Sequence, residues 1–351
     1  MKILKWLILG IIIIGIINSV SFVAKSNFAR YIRQNEKILG MVYIIDDNAA
    51  YPLKGIMLFR YNPGNRNYIL CSMSPDTRLP YDGNLWRTRI LFSKTGNRKE
   101  SCEVLLKIYE EKFGLNIPHC MYLNYEKLKN IIHDLDGIEF GGRRVFTGEE
   151  IDELWAMIID GAGNHEETSL RNDTRLLKSI LIKLYNTSPK KRVMFFLRQI
   201  KNTHAFLSWM DTAALFAEQK YFDENNIIPI HITADQDAQT VNMDSYIKEL
   251  FENVNTGRAK KIISVEVLNA SSKSGMALAV TSTLREAGVD VQNWGNYDII
   301  QPVTMVIDRL GNWNNAKAVA DILHCKEVYT ETDSSRFVDV SIILGEDIGN
   351  N

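Results

Sequence analysis

Apolar and polar positions follow two rhythms along this chain, and each predicts a type of element. Residues 41–45 form an unbroken apolar run closed by Asp46, Asp47 and Asn48, the pattern of a buried strand ending in a turn. Two more apolar runs, 55–59 and 68–73, flank the turn-forming cluster Asn62, Pro63, Gly64 and Asn65 and predict a hairpin-like pair. The rhythm then becomes helical. Val104, Leu105, Ile108, Tyr109 and Phe113 recur on one face, and Gly114 is a natural stop, which predicts a helix over 101–113. A strand at 120–123, a helix at 125–135, a turn at Asp136 and Gly137, and a strand at 138–140 follow. Helical spacing returns at 149–159, 174–185, 192–200, 211–219 and 243–251. Helices alternating with short apolar strands indicate an α/β sandwich.

The polar stretch 253–261, rich in Asn, Thr, Gly and basic residues, reads as a linker. Beyond it the order is strand 263–268, helix 275–287, strands 289–294 and 303–307, helix 314–323 and strand 338–344. This βαββαβ order predicts a small α+β domain with a ferredoxin-like layout. The expected organisation is therefore a stalk over 25–40, a front domain over 41–252, the linker, and a second domain over 262–348.

The N-terminus breaks both rhythms. Residues 6–17 contain no charged or strongly polar side chain, and with 18–24 the segment nears the roughly 20 residues a membrane-spanning helix needs. Lys2 and Lys5 precede it, and Lys25, Arg30 and Arg33 follow, so flanking charge barely orients it. The length favours an uncleaved anchor over a cleaved signal peptide, since Phe22 falls where cleavage wants a small residue. The expectation is a single-pass protein of the cell membrane, with segment 1–24 as anchor and the bulk of the chain extracytoplasmic.

Composition narrows the function. With 351 residues, 46% of them hydrophobic, the chain can bury a large core. Lys+Arg 41 against Asp+Glu 42 leaves a net charge of −1, which argues against nucleic acid as a partner. The four cysteines, at 71, 102, 120 and 325, form no CxxC pair and read as small buried hydrophobes rather than metal ligands. The six histidines are scattered without metal-ligand spacing.

The candidate chemistry lies where the strand 68–73 runs into Pro75, Asp76, Thr77 and Arg78. Strand ends in α/β sheets are the usual ligand sites. An aspartate and an arginine two residues apart there suit an anionic phosphate and its metal ion. The bland alternative is a turn-capping Asp with a surface Arg, a pair worth about 0–1 kcal/mol.

Several motifs carry a family likeness. VEVLNA at 265–270, SGMA at 274–277, LREAGVDV at 284–291 and VDVSIILGEDI at 338–348 resemble, in order, the LytR C-terminal domain. Where that family usually has Gly-Ser-Gly after the Asn, this chain has Ala270, Ser271 and Ser272. Residues 41–252 resemble the LytR-CpsA-Psr (LCP) catalytic domain through GIMLFRYNPGNRNYILCSMSPDTR at 55–78, FGLNIPHCMYLNYEKLKNIIHDLDGIEF at 113–140 and FTGEE at 146–150. The resemblance implies a three-layer α/β/α front domain with a mixed sheet. It implies transfer of a glycopolymer from a polyprenyl-pyrophosphate carrier to peptidoglycan, with arginines and aspartates holding the pyrophosphate and Mg2+.

Carried over residue by residue, that likeness makes Asp76 and Arg78 the catalytic candidates. Arg87, Arg171 and Arg175 become substrate-binding candidates, and Asp76 and Asp47 metal ligands. The chain departs from the family at Pro75, which replaces the first arginine of an Arg-Asp-Thr-Arg turn, and at 153–160, which contains no arginine. Two readings follow: a transferase using Mg2+, or a catalytically inactive scaffold, without a cofactor, that binds glycan or a protein partner through its C-terminal domain. A transcription regulator is opposed by the balanced charge, the membrane segment and the absence of a helix-turn-helix pattern.

Overall fold

The computed structural model describes residues 27–140, 144–147, 150, 166–188, 223, 226–232, 247–248, 251, 260 and 262–348. The expected membrane segment, the helices at 192–200 and 211–219, nearly all of 149–159 and most of 243–261 lie outside the described residues. Among the described residues, no helix is long and apolar enough to cross a membrane.

In chain order the first half comprises α1 (Asn27–Gln34), β1 (Ile38–Ile45), β2 (Leu53–Asn62), β3 (Asn67–Met73), β4 (Arg78–Tyr81), β5 (Asn84–Arg87), α2 (Thr88–Lys94) and α3 (Arg98–Phe113). Then come β6 (His119–Asn124), α4 (Tyr125–Asp134), β7 (Ile138–Phe140), β8 (Arg144–Phe146), α5 (Glu166–Asn186) and β9 (Ile227–Ile232). The second half holds β10 (Ser264–Asn269), α6 (Met276–Glu286), β11 (Asp290–Asn296), β12 (Met305–Asp308), α7 (Trp313–Leu323), β13 (Val328–Thr330) and β14 (Val340–Leu344). The stalk is shorter than expected, because β1 already begins at Ile38.

Ten strands form one mixed sheet, in the order β11-β10-β14-β12-β13-β9-β3-β2-β1-β6. β2 is antiparallel to both β1 and β3, while β6 adds to β1 and β9 adds to β3 in parallel. β1, β3, β6 and β9 therefore run the same way, and their C-terminal ends share one edge. That edge is where an α/β sheet offers its loops to a ligand.

Helices cover both faces of this part of the sheet, for a reason visible in β1. Alternate strand residues point to opposite faces. Met41, Tyr43 and Ile45 join a core with Phe92 of α2 and with Leu105 and Tyr109 of α3. Ile44 joins Leu128 and Ile132 of α4 and Leu176 and Ile180 of α5. Each such side chain, once buried, contributes about 1.5–3 kcal/mol. α3 starts with a capping box between Asn97 and Glu100 and stops at Gly114, whose φ of 59° suits glycine. All four cysteines are free thiols, and Cys71, Cys102 and Cys120 are buried.

The second half corrects the ferredoxin-like expectation. That layout splits the parallel strands of a βαβ unit with a strand between them. Here β10 and β11 pair directly in parallel around α6, and β12 and β13 do the same around α7. β14 joins the two units, parallel to β10 and antiparallel to β12. The three-residue β13 is what changes the layout, and it is too short to show a period in the sequence. It also joins the halves, since Thr330 pairs with Ile230 of β9.

Candidate functional site

The turn after β3 is fixed by its own composition. Ser74, Pro75, Asp76 and Thr77 form a hydrogen-bonded turn in which the Thr77 N–H donates to the Ser74 carbonyl at 3.1 Å. Proline suits the second position because its φ is already set. The Ser74 hydroxyl accepts the Asp76 N–H at 3.1 Å. The chain then leaves along β4 and returns along β5 through Asp82 and Gly83, whose φ values of 50° and 72° give a two-residue hairpin turn.

This excursion brings the start of α2 back onto the turn. The Arg89 N–H donates to the Pro75 carbonyl at 2.9 Å, and the Thr88 N–H and hydroxyl both donate to the Thr77 carbonyl, at 2.9 and 2.8 Å. The first N–H groups of a helix lack partners within it. Here the turn's carbonyls supply them, so α2 needs no side-chain cap. Pro75 thus acts through its carbonyl, and its missing N–H leaves nothing unmade.

Asp76 sits among arginines. Arg89 Nη2 donates to its Oδ2, and Arg87 Nη1 lies 3.8 Å from its Oδ1. Arg78 stands directly opposite Arg87 in the β4–β5 register. Like charges opposite one another destabilise a hairpin. These pairs are about a third or more exposed, so each contributes only about 0–1 kcal/mol. Asp76 Oδ1, Thr77 Oγ1 and Arg89 Nε are buried atoms without a hydrogen-bond partner. Buried polar atoms are normally satisfied, so three orphans, two in the turn and one on the helix packed against it, call for an explanation. The arrangement offers donors and positive charge to an anion.

The other sequence candidates lie elsewhere. Asp46 Oδ1 accepts the Asn48 N–H at 3.0 Å and shapes the turn after β1. Asp47 accepts from Arg98 Nε at 2.8 Å and from Asn124 Nδ2 at 2.7 Å, tying the ends of β1 and β6 to α3. Among the described residues, no group of three His, Cys, Asp or Glu side chains is placed to hold a metal ion. Arg171 belongs to α5, and its side chain lies outside the described residues.

Arg175 faces the second half of the chain. Its Nε donates to the Tyr329 hydroxyl at 2.6 Å and lies 3.5 Å from Glu327 Oε2. Burial opposes its charge, but Tyr329 and Glu327 more than offset this and hold the guanidinium more firmly protonated than usual. Burial likewise pushes the Glu327 carboxyl up, but Lys178 and Arg175 outweigh it and hold that group below its ordinary range.

Sequence reasoning missed Arg89 and Thr88, the residues most closely bound to the turn. A signal was present in Asp82-Gly83, a strong hairpin dipeptide between Tyr81 and Leu85. A hairpin there returns the chain to its starting point and places residues 87–89 beside 76–78.

The family model of the LytR C-terminal domain, described as LytR cell envelope-related transcriptional attenuator, matches residues 262–347, so this segment is such a domain. No curated protein matches the chain. Similar solved structures include protein gbs0355 from Streptococcus agalactiae, at 13% identity and a TM-score of 0.48, covering 59% of this chain and 80% of that one. TagV from B. subtilis shows 15% identity and a TM-score of 0.45, covering 57% and 85%. The transcriptional regulator yvhJ from Bacillus subtilis shows 14% identity and a TM-score of 0.45, covering 57% and 83%.

Proposed function

We propose that the turn at 74–78 and the start of α2 form a diphosphate-binding site. Through it the chain serves the cell envelope by holding a polyprenyl-diphosphate-linked glycan outside the membrane. The observation that carries this reading is the pairing of Arg87 and Arg89 with the single carboxylate of Asp76, with Arg78 opposite Arg87 in the hairpin and buried donors left unmatched at Thr77 and Arg89. A diphosphate supplies what the cluster lacks. Its oxygens accept from guanidinium groups in bidentate fashion, and its charge relieves the repulsion between Arg78 and Arg87. The position at the shared C-terminal edge of the strands supports the reading, as does the LytR C-terminal domain behind it. The apolar segment 6–17 would hold the chain at the membrane.

Magnesium enters this proposal with the diphosphate. Asp76 Oδ1 lacks a hydrogen-bond partner and can give one anionic oxygen, with phosphate oxygens and water completing the set, as is usual for this ion. The ion would neutralise charge on the phosphate oxygens. Asp47 is already engaged by Arg98 and Asn124 and is a weaker candidate.

A second reading, binding without turnover, is favoured by the pairing of Asp76 with Arg89, which occupies one carboxylate oxygen. Two measurements on the full-length protein separate these readings. Vesicles carrying a polyprenyl-diphosphate glycan should capture more of the wild-type chain than vesicles without it, and Arg89→Ala should abolish that excess. An excess equal in both proteins, or absent from both, would sink the binding site. Glycan transfer to peptidoglycan with magnesium, lost on Asp76→Ala, would make the chain a transferase; capture without transfer would make it a scaffold.

A further inference from the structure

A second place in the molecule collects positive charge, and it is built around Arg175 rather than around the Asp76 turn. A cavity of about 540 Å³ opens between α5 and the C-terminal domain. Its wall comes from α5, from the start of β9, from α7 and from the segment leading into β13. It therefore exists only because β9 and β13 bring the two halves of the chain into one sheet. It lies apart from the Asp76 turn. Ile227, in its wall, pairs with Tyr68 at the start of β3, whereas Asp76 follows the end of that strand. Five steps of strand rise from Tyr68 to Met73 put roughly 16 Å between the two levels.

The charge in the cavity is unbalanced. Arg175, Lys178, Lys183, Lys317 and Lys326 line it, against two carboxylates. Lys317 pairs with Asp321 at 2.7 Å. Setting it aside together with Lys326, which has an interaction of its own, three cations still face two carboxylates. Arg175 is only 8% exposed, and its Nε is committed to Tyr329 and Glu327. Its Nη2 is buried without a hydrogen-bond partner. Lys178 Nζ donates to the Lys326 carbonyl at 3.1 Å, and an ammonium carries three donors. A guanidinium held in place with one donor unmatched, beside ammonium groups, is a built receptor for an oxyanion of more than one charge. Trp313, Ile182 and Ile227 add an apolar wall.

We propose that this cavity is a second anion site, which binds a phosphate-bearing ligand between the front domain and the LytR C-terminal domain. The shared chemistry is a phosphate group on Arg175, Lys178 and Lys183. It comes either from a free polyphosphate or from a phosphorylated sugar whose ring lies on the apolar wall. Such a ligand bridges the two halves of the chain and strengthens a junction in which β13 meets β9 at one register pair.

The test uses the full-length protein carrying Arg87→Ala and Arg89→Ala, so that the Asp76 turn contributes nothing. Inorganic pyrophosphate and glucose 1-phosphate are titrated in separate calorimetric runs. One site per chain is expected for at least one probe, weakened tenfold or more by Lys183→Ala with Lys178→Ala. Tighter binding of the sugar phosphate would identify that source, and tighter binding of pyrophosphate the other. Truncating the two lysines of α5 leaves the Arg175–Tyr329 contact in place, so the fold is retained. Binding of neither probe, or binding indifferent to both lysines, would overturn the proposal. Either result is independent of whether the Asp76 turn binds diphosphate in the wild-type chain.

Discussion

Asp308 shows how one residue sets a pH response. Its side chain is fully buried at the end of β12. Oδ1 accepts from the Leu310 and Asn312 N–H groups at 3.2 and 3.0 Å, and Oδ2 from the Thr330 hydroxyl at 3.1 Å. Burial outweighs these bonds, and the carboxyl is pushed up to about 6. Between about pH 4 and pH 6 the folded chain keeps a proton that the unfolded chain has released. Stability from this group is therefore complete below about pH 4 and lost as pH rises through about 6. Asp308→Asn keeps the acceptor for the two N–H groups and removes the charge. Denaturant unfolding should show the variant more stable at pH 7.5, by up to about 3 kcal/mol, with the advantage gone at pH 4. Equal stability at both pH values would contradict this. Nothing at 308 is legible in the sequence alone, because a buried aspartate looks like any turn aspartate until its surroundings are known.

At the scale of elements, the β4–β5 hairpin trades stability for charge. Arg78 and Arg87 oppose each other across it. Arg78→Thr should stabilise the fold by about 0.2–1 kcal/mol while weakening pyrophosphate binding several-fold. Thermal unfolding and calorimetry on the same two proteins check both signs; a loss on both counts would mean that Arg78 serves the hairpin itself. Long periodic elements were legible, as with β3 and α3, whose apolar spacing is set by the layer they bury. β9 was not. Pro229 interrupts Ile227–Ile232, and proline within a run argues against an inner strand. The strand survives there because β13 touches it at one register pair, which leaves it close to an edge on that side.

At the scale of the whole molecule, the domains that the sequence separates share one sheet. The C-terminal motifs were legible in the sequence, but the joint depends on contacts between residues 100 or more positions apart, for which local pattern holds no signal. Tyr329 is the centre of that joint. It accepts from Arg175 and donates to Glu327. Tyr329→Phe leaves both charged partners without this hydroxyl and should cost about 1–3 kcal/mol. The loss should appear as earlier proteolytic release of the C-terminal domain; unchanged release would place the strength of the joint in β9 and β13 alone.

The arginines around Asp76 stand at the centre of this account, and their claim is binding of a diphosphate. Isothermal titration of geranyl diphosphate into the full-length protein, with and without magnesium, tests it most directly. Binding at the turn is expected with an affinity that falls tenfold or more on Arg89→Ala and on Arg87→Ala, each variant folding as the parent does. An affinity that neither substitution changes would contradict it.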